Sequence, residues 1–247
     1  MNKSILLFAV TSLLGAAAHA DDAPANPFTA NISLTTNYKY RGQDQGDSPS
    51  KTLRPAVQGG FDWTKDGFYL GNWNSSIGWV SGASVEMDFY GGYRGEITKD
   101  VTYDVGILRY QYNGAALANT TEIYGLIGYG PVTLKYSDTV SKDYFGYGAA
   151  GNFSGRNTGY VDLSGNFPVT DVLTVNAHVG YTRYASDLRN NVGVPNYTDY
   201  KLGVTYDLSK FAGAGVTISG AVVGATKKGY YGDINKARFI ATLTKTL

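Results

Sequence analysis

The chain has 247 residues, with 21 basic and 20 acidic side chains and no cysteine, which excludes a disulfide framework and the strongly basic footprint of a nucleic-acid binder. Its mean hydropathy is −0.20, and beyond the first twenty residues no run approaches the roughly 20 apolar residues of a spanning helix. With 32 glycines, 21 tyrosines and only 7 prolines, the composition points to a glycine-punctuated all-β chain.

Residues 1–20 read as a secretory signal peptide: Lys3 opens it, residues 5–17 are apolar, and Ala18-His19-Ala20 precedes Asp21-Asp22. Cleavage removes Lys3 and leaves basic and acidic side chains equal in number. Residue 21 is Asp, not Cys, so no lipid anchor is expected. Residues 21–27 form a short lead, and residues 28–247 are expected to be one domain.

The first element spans residues 28–41. Its even positions read Phe, Ala, Ile, Leu, Thr, Tyr, Tyr and its odd ones Thr, Asn, Ser, Thr, Asn, Lys, Arg, the period-two pattern of a half-apolar strand. After a polar loop, Leu53, Val57, Phe61 and Trp63 share a face opposite Arg54, Gln58 and Asp62. Further alternating strands are expected at residues 68–80, 84–97 and 101–112. In the last of these the apolar face slips from Val101, Tyr103 and Val105 to Leu108, Tyr110 and Tyr112, which predicts a bulge near Gly106. Strands at 120–129, 132–137, 158–167, 173–184, 197–206, 215–224 and 235–247 complete a set of about twelve.

Many of these segments reach ten residues, long for a soluble sandwich and suited to crossing a bilayer. Connections at 42–52, 138–157, 185–196 and 225–233 are long, while those at 64–67, 98–100, 130–131 and 168–171 are short; 81–83 and 207–214 break the rule. Aromatic residues gather at both strand ends: Phe28, Phe61, Trp63, Phe68, Tyr69, Tyr93, Tyr103 and Tyr129 on the turn side, and Tyr38, Tyr40, Trp79, Tyr110, Tyr112 and Tyr181 on the loop side. Together these features predict a transmembrane antiparallel up-and-down β-barrel of the outer-membrane type, with two interfacial aromatic girdles.

Five stretches resemble the TorF-type small putative porins, long filed as conserved hypothetical outer-membrane proteins. They are Asn37-Tyr38-Lys39-Tyr40-Arg41-Gly42, Pro55-Ala56-Val57-Gln58-Gly59-Gly60-Phe61-Asp62, Gly67-Phe68-Tyr69-Leu70-Gly71-Asn72-Trp73-Asn74-Ser75-Ser76, Glu86-Met87-Asp88-Phe89-Tyr90-Gly91-Gly92-Tyr93 and Asp104-Val105-Gly106-Ile107-Leu108-Arg109-Tyr110-Gln111-Tyr112. Asn113 stands where the family pattern leads one to expect Pro, and Leu247 where outer-membrane barrels prefer a terminal aromatic. The resemblance implies location and fold and supplies no substrate.

With apolar side chains facing lipid, strand parity turns Lys39, Arg41, Arg54, Asp62, Glu86, Asp88, Arg94, Glu96, Asp104, Arg109, Glu122, His178 and Arg238 toward the lumen, with Lys135, Asp162, Asp199 and Lys201 beside them. Lipid-facing Arg or Lys at the bilayer midplane would cost about 2–4 kcal/mol. Gly60, Gly71, Gly91, Gly92 and Gly106 leave space on the wall, and Arg41, Arg54, Arg94 and Arg109 are long enough to cross toward Glu86, Asp88, Glu96 and Glu122. The expected function is passive diffusion of small hydrophilic solutes or ions past a mixed-charge constriction; a closed structural or surface-binding barrel is the alternative.

A barrel hydrolase would need His178 with Ser164 and Asp162, but Ser164 is expected nearer the short turn than His178. A polar network is the simpler reading. No metal, phosphate or dinucleotide motif is present, so no cofactor is expected; Asp44 and Asp47 suit a solvated loop. Tyr144, Phe145 and Gly146-Tyr147-Gly148 fit either an inward constriction or an outward surface for sugars or phage. Outer-membrane lipids, lipopolysaccharide, the barrel-assembly machinery and small polar solutes are the expected partners, and oligomeric state is not readable.

Overall fold

The computed structural model describes residues 26–47 and 53–247; the expected signal peptide, most of the expected lead and part of the first loop lie outside them. Fourteen strands follow one another: β1 (Phe28–Thr35), β2 (Lys39–Tyr40), β3 (Gln43–Asp44), β4 (Ala56–Lys65), β5 (Phe68–Ser76), β6 (Val85–Thr98), β7 (Val101–Tyr112), β8 (Thr120–Tyr129), β9 (Val132–Thr139), β10 (Gly159–Pro168), β11 (Leu173–Arg183), β12 (Tyr197–Asp207), β13 (Val216–Ala225) and β14 (Arg238–Thr246). Twelve of them close an antiparallel barrel in which each wall strand pairs with the next and β1 meets β14. The seam pairs Asn31 with Thr246 and Thr35 with Thr242, and the Leu247 amide donates to the Ala30 carbonyl at 2.8 Å. The last residue therefore closes the wall.

Alternation fixes the two faces. Ile32, Phe61, Leu70, Ile127, Leu202 and Phe239 point outward and are each half exposed or more, and every other wall strand also carries exposed apolar side chains. In water such a continuous belt would far exceed the few hundred Å² of apolar patch that soluble monomers show; in hydrocarbon it is the solvent-matched face. A ten-residue strand such as β4, at about 3.4 Å per residue and tilted about 40°, covers about 26 Å of the membrane normal. That is the height of the apolar band of a spanning barrel.

The structure corrects the sequence reading at three places. The first strand ends at Thr35, and residues 37–47 leave the wall. The β6–β7 register runs unbroken through Gly92↔Gly106, with its irregularity between Glu96 and Thr98. No bulge therefore turns the face at Gly106, and Leu108, Tyr110 and Tyr112 point inward. The loop-side girdle dissolves accordingly: Tyr38, Tyr40, Trp79, Tyr110 and Tyr112 pack inside, and Tyr181 alone of the six stays outside. On the turn side only Tyr69 turns inward, its hydroxyl donating to Asp104 at 2.6 Å.

Candidate functional site: a lumen closed by an inward hairpin

β2 and β3 form a two-stranded hairpin of their own, pairing Lys39 with Asp44 and Tyr40 with Gln43. Arg41 and Gly42 are its tip, with φ of 45° and 73°. Two consecutive positive φ values make the type I′ geometry that suits a two-residue hairpin, and Gly is the residue best able to supply the second. Local turn chemistry thus lifts this segment off the wall and folds it into the lumen.

Ion pairs hold it there. The Arg41 guanidinium donates to both oxygens of Glu122, at 3.0 and 2.7 Å, and to the Tyr144 hydroxyl at 3.2 Å. Its face lies 4.0 Å from the Tyr160 ring centroid. Asp44 gathers three cations: Lys39 at 3.2 Å, Arg54 at 3.6 Å and Arg238 at 2.7 Å, with the Asp44 side chain 1% exposed. Tyr38 donates to Glu86 at 2.6 Å, and the Tyr40 and Tyr110 hydroxyls stand 2.7 Å apart. The hairpin is cross-linked to β6, β7, β8 and β14.

Lys39 also donates to the Gly42 and Ile234 carbonyls at 3.0 and 2.8 Å. Burial pulls its ammonium down to about 8, against the opposing pull of Asp44. Between that value and the ordinary 10.5, the unfolded chain holds a proton that the folded one has lost, so this group makes stability rise with pH across the window. Urea midpoints of the refolded protein are expected to climb from about pH 8 toward about pH 10 and to climb less steeply in Lys39→Met; equal slopes in both proteins would contradict this.

A second layer closes over the first. The loop after β9 folds inward, placing Phe145 5.0 Å from the Tyr110 ring and 5.5 Å from Tyr40. Tyr144, Tyr147, Tyr184, Tyr197 and Tyr231 continue the layer, with Tyr144–Tyr184 and Tyr197–Tyr231 edge to face and Tyr144–Tyr147 and Tyr184–Tyr197 tilted. Tyr147 donates to Gln43 at 3.3 Å. Of the two orientations that suited this loop, it takes the inward one.

The wall glycines do not widen the lumen either. A Cβ on Gly71 would stand 2.4 Å from the Tyr90 ring, one on Gly92 2.4 Å from the Tyr69 hydroxyl, and one on Gly106 2.5 Å from that of Tyr124. They seat tyrosine rings laid across the β4–β8 side. Gly91 faces outward against Leu70. The opposite side is smaller and wetter: Asn31, Ser33, Lys201, Thr205, Ser219 and Thr242 face inward and are only partly buried.

The charged residues read from parity divide accordingly. Lys39 and Arg41 reach the lumen on the hairpin, not on a wall strand. Arg54, just ahead of β4, joins them through Asp44. Asp62 accepts from Tyr90 at 2.6 Å, while Arg94 bonds Thr64 at 3.0 Å and stands 5.0 Å from the Tyr69 ring centroid. Glu86, Asp88, Asp104, Glu122 and Arg238 are buried inside, and Glu96 is exposed at the turn-side rim. Arg109 is a correction: it pairs in register with outward Phe89 and bonds Thr121 at 2.9 Å and Gln111 at 3.3 Å on the outer surface. The absent bulge is the reason. Of the predicted crossings, Arg41 to Glu122 forms a salt bridge.

Asp44 is a second correction, because the loop read as solvated buries this carboxylate among three cations, while Asp47 stays 64% exposed. It was missed because Tyr38-Lys39-Tyr40 alternates like the wall strand before it. The signal available was Arg41-Gly42, flanked by residues able to pair.

His178 faces Ser164 directly across β10 and β11, contrary to the expected stagger. Its Nδ1 lies 2.9 Å from Asp162 and 3.2 Å from Ser164 Oγ, and its Nε2 lies 2.6 Å from Asp199. Ser164 itself donates to Asp162 at 2.5 Å. A nucleophile and its base need one imidazole nitrogen for the serine and the other for the carboxylate. Here the Ser164 hydroxyl gives its proton to Asp162 and not to the imidazole, and the ring links Asp162 to Asp199, an arrangement that braces three wall strands.

The barrel is similar to solved porins. The KdgM porin aligns over 88% of this chain and 98% of its own at 9% identity, with a TM-score of 0.57, and has also been solved with disordered oligogalacturonate. The NanC porin aligns over 89% and 98% at 11% identity, with a TM-score of 0.55. At these identities the likeness is one of fold. No curated protein matches the sequence. The family model described as a bacterial protein of unknown function (Gcw_chp) matches residues 19–247, and the chain belongs to that family.

Proposed function

We propose that this protein is an outer-membrane, porin-like channel for passive diffusion of small hydrophilic solutes and ions, throttled at its loop end by the hairpin of residues 37–47. The observation that carries this reading is the sorting of side chains by a closed wall: apolar residues outside, and charges, hydroxyls and amides inside. A lumen packed with apolar residues would serve a purely structural barrel better. The TorF-type resemblance supports the same reading, as do the solved porins. Outer-membrane lipid, lipopolysaccharide and the barrel-assembly machinery are the partners such a barrel requires.

The KdgM complex pairs a porin with an acidic oligosaccharide. In this lumen Arg41, Arg54, Arg94, Lys135 and Arg238 stand among Asp44, Asp62, Asp104, Glu122 and Asp162, and the cations are largely answered by carboxylates. Small solutes of either sign or none are the proposed cargo. A second reading, a closed surface-binding barrel, draws on the hairpin and the tyrosine layer over it.

Proteoliposomes containing the refolded protein are expected to swell in pentose-sized sugars faster than empty liposomes. Reversal potentials under a salt gradient are expected to stay close to zero, because the lumenal charges balance. Swelling no faster than the empty control would contradict the channel, and a strong preference for one ion would contradict the balanced lumen.

A further inference from the structure

Three buried carboxylates approach one another on the inner wall near the hairpin: Glu86, Asp88 and Glu122. Two of them are answered. Glu86 accepts from the Tyr38 and Tyr112 hydroxyls, one on each oxygen, and Glu122 accepts both nitrogens of Arg41. Asp88 is 1% exposed, yet neither of its oxygens has a hydrogen-bond partner among the described residues. A carboxylate taken out of water with neither a donor nor a counter-charge is among the costliest groups a protein interior can hold.

The surroundings of Asp88 indicate what would answer it. Its register neighbours are Trp73 on β5 and Tyr110 on β7, both turned inward. Tyr38 packs edge-on against Trp73 at 5.6 Å, and Tyr40 against Tyr110 at 5.5 Å, so hairpin and wall together surround the carboxylate with aromatic rings. Among the described residues no three Asp, Glu or His side chains gather in a metal-ligating group. That argues against a divalent metal, which needs several oxygen ligands. A single carboxylate among electron-rich rings is the chemistry that holds an ammonium ion, by charge and by cation–π attraction.

We infer that Asp88, with Trp73 and Tyr110, forms a binding site for a small ammonium cation within the barrel. Binding itself is independent of conduction; treating the site as a selector of transported amines rests on the channel reading. Occupancy would also place a positive charge beside Glu86, which anchors Tyr38, and so couple the site to hairpin docking.

Trp73 is the built-in reporter. Tryptophan fluorescence of the refolded protein is titrated with methylammonium chloride at constant ionic strength, with potassium chloride as the matched series, in the wild type, Asp88→Asn and Asp88→Ala. Heat-modifiable gel migration verifies folding of each, and Trp73→Phe assigns the signal. The expected result is a saturable change in the wild type that is weakened at least tenfold in both Asp88 variants, absent in Trp73→Phe, and not reproduced by potassium. No saturable change in the wild type, an unaltered curve in a folded Asp88 variant, or an equal response to potassium would overturn the site. Because the readout is binding, a barrel that fails to conduct leaves this result standing, and a conducting barrel does not supply it.

Discussion

Asp44→Ala is expected to unseat the hairpin and convert a throttled barrel into a freely conducting one. The substitution takes the shared carboxylate from Lys39, Arg54 and Arg238, whose side chains are between 1% and 7% exposed. Breaking a buried ion pair by removing one partner costs about 3–5 kcal/mol, since the remaining charge is left in a poor dielectric. Here three cations lose it at once, and they also repel one another. The wall strands do not depend on Asp44 for their ladder, so the expected outcome is local: hairpin release with the barrel intact. Limited proteolysis should cut the released segment near residue 41 while heat-modifiable migration persists, and channel current should rise several-fold. Protection equal to the wild type would show that tyrosine packing, not the ion pairs, holds the hairpin.

Gly42→Val attacks the same docking by shape. Gly42 has a φ of 73°, and an added Cβ would lie 2.7 Å from the Asp199 Cβ, 2.7 Å from the Gly224 carbonyl oxygen and 2.9 Å from the Ala225 Cβ. All three contacts are wall atoms fixed by the backbone, which cannot rotate aside. The backbone conformation alone costs roughly 1–2 kcal/mol for an L-residue, and more for a β-branched one. The tip must withdraw, and with it the Arg41 contact to Glu122. Gly42→Val is expected to raise conductance as Asp44→Ala does, without removing any charge. If only the charge variant opened the barrel, the hairpin would have room that this geometry denies it.

How much of this was legible from the chain depends on which interactions decide each feature. Alternation read the wall because period two follows from strand geometry, and β4, β8, β11 and β14 sort their side chains as their sequences suggest. It misread residues 36–41 because a hairpin inside the lumen alternates as a wall strand does; only the positive φ at Arg41 and Gly42 separates them, and that is a property of the turn. It misread Leu108, Tyr110 and Tyr112 for a related reason. In an outer-membrane barrel tyrosine suits both a lipid interface and a polar interior, so an aromatic run does not declare its side. Arg109 was then carried inward with the supposed bulge. Glu122, Glu86 and Asp88 are unambiguous because a carboxylate flanked by Ile123, Met87 or Phe89 has one affordable direction. Their partners were not legible, since Arg41 and Tyr38 reach them across a fold that the sequence does not record.

The glycines carry the same lesson at smaller scale. Gly71, Gly92 and Gly106 were read as openings, and each is a seat for a ring from a neighbouring strand. Absence of a side chain says that something approaches closely; it does not say whether that something is solute or tyrosine.

The most direct test of the account is single-channel recording in a planar bilayer, comparing the purified, refolded wild type with a variant in which residues 38–46 are replaced by a short Gly-Ser linker. The account predicts brief, small events for the wild type and long-lived, several-fold larger steps for the variant. Steps of equal size in both would contradict closure by the hairpin, and silence from both, with folding verified by heat-modifiable migration, would contradict the channel itself.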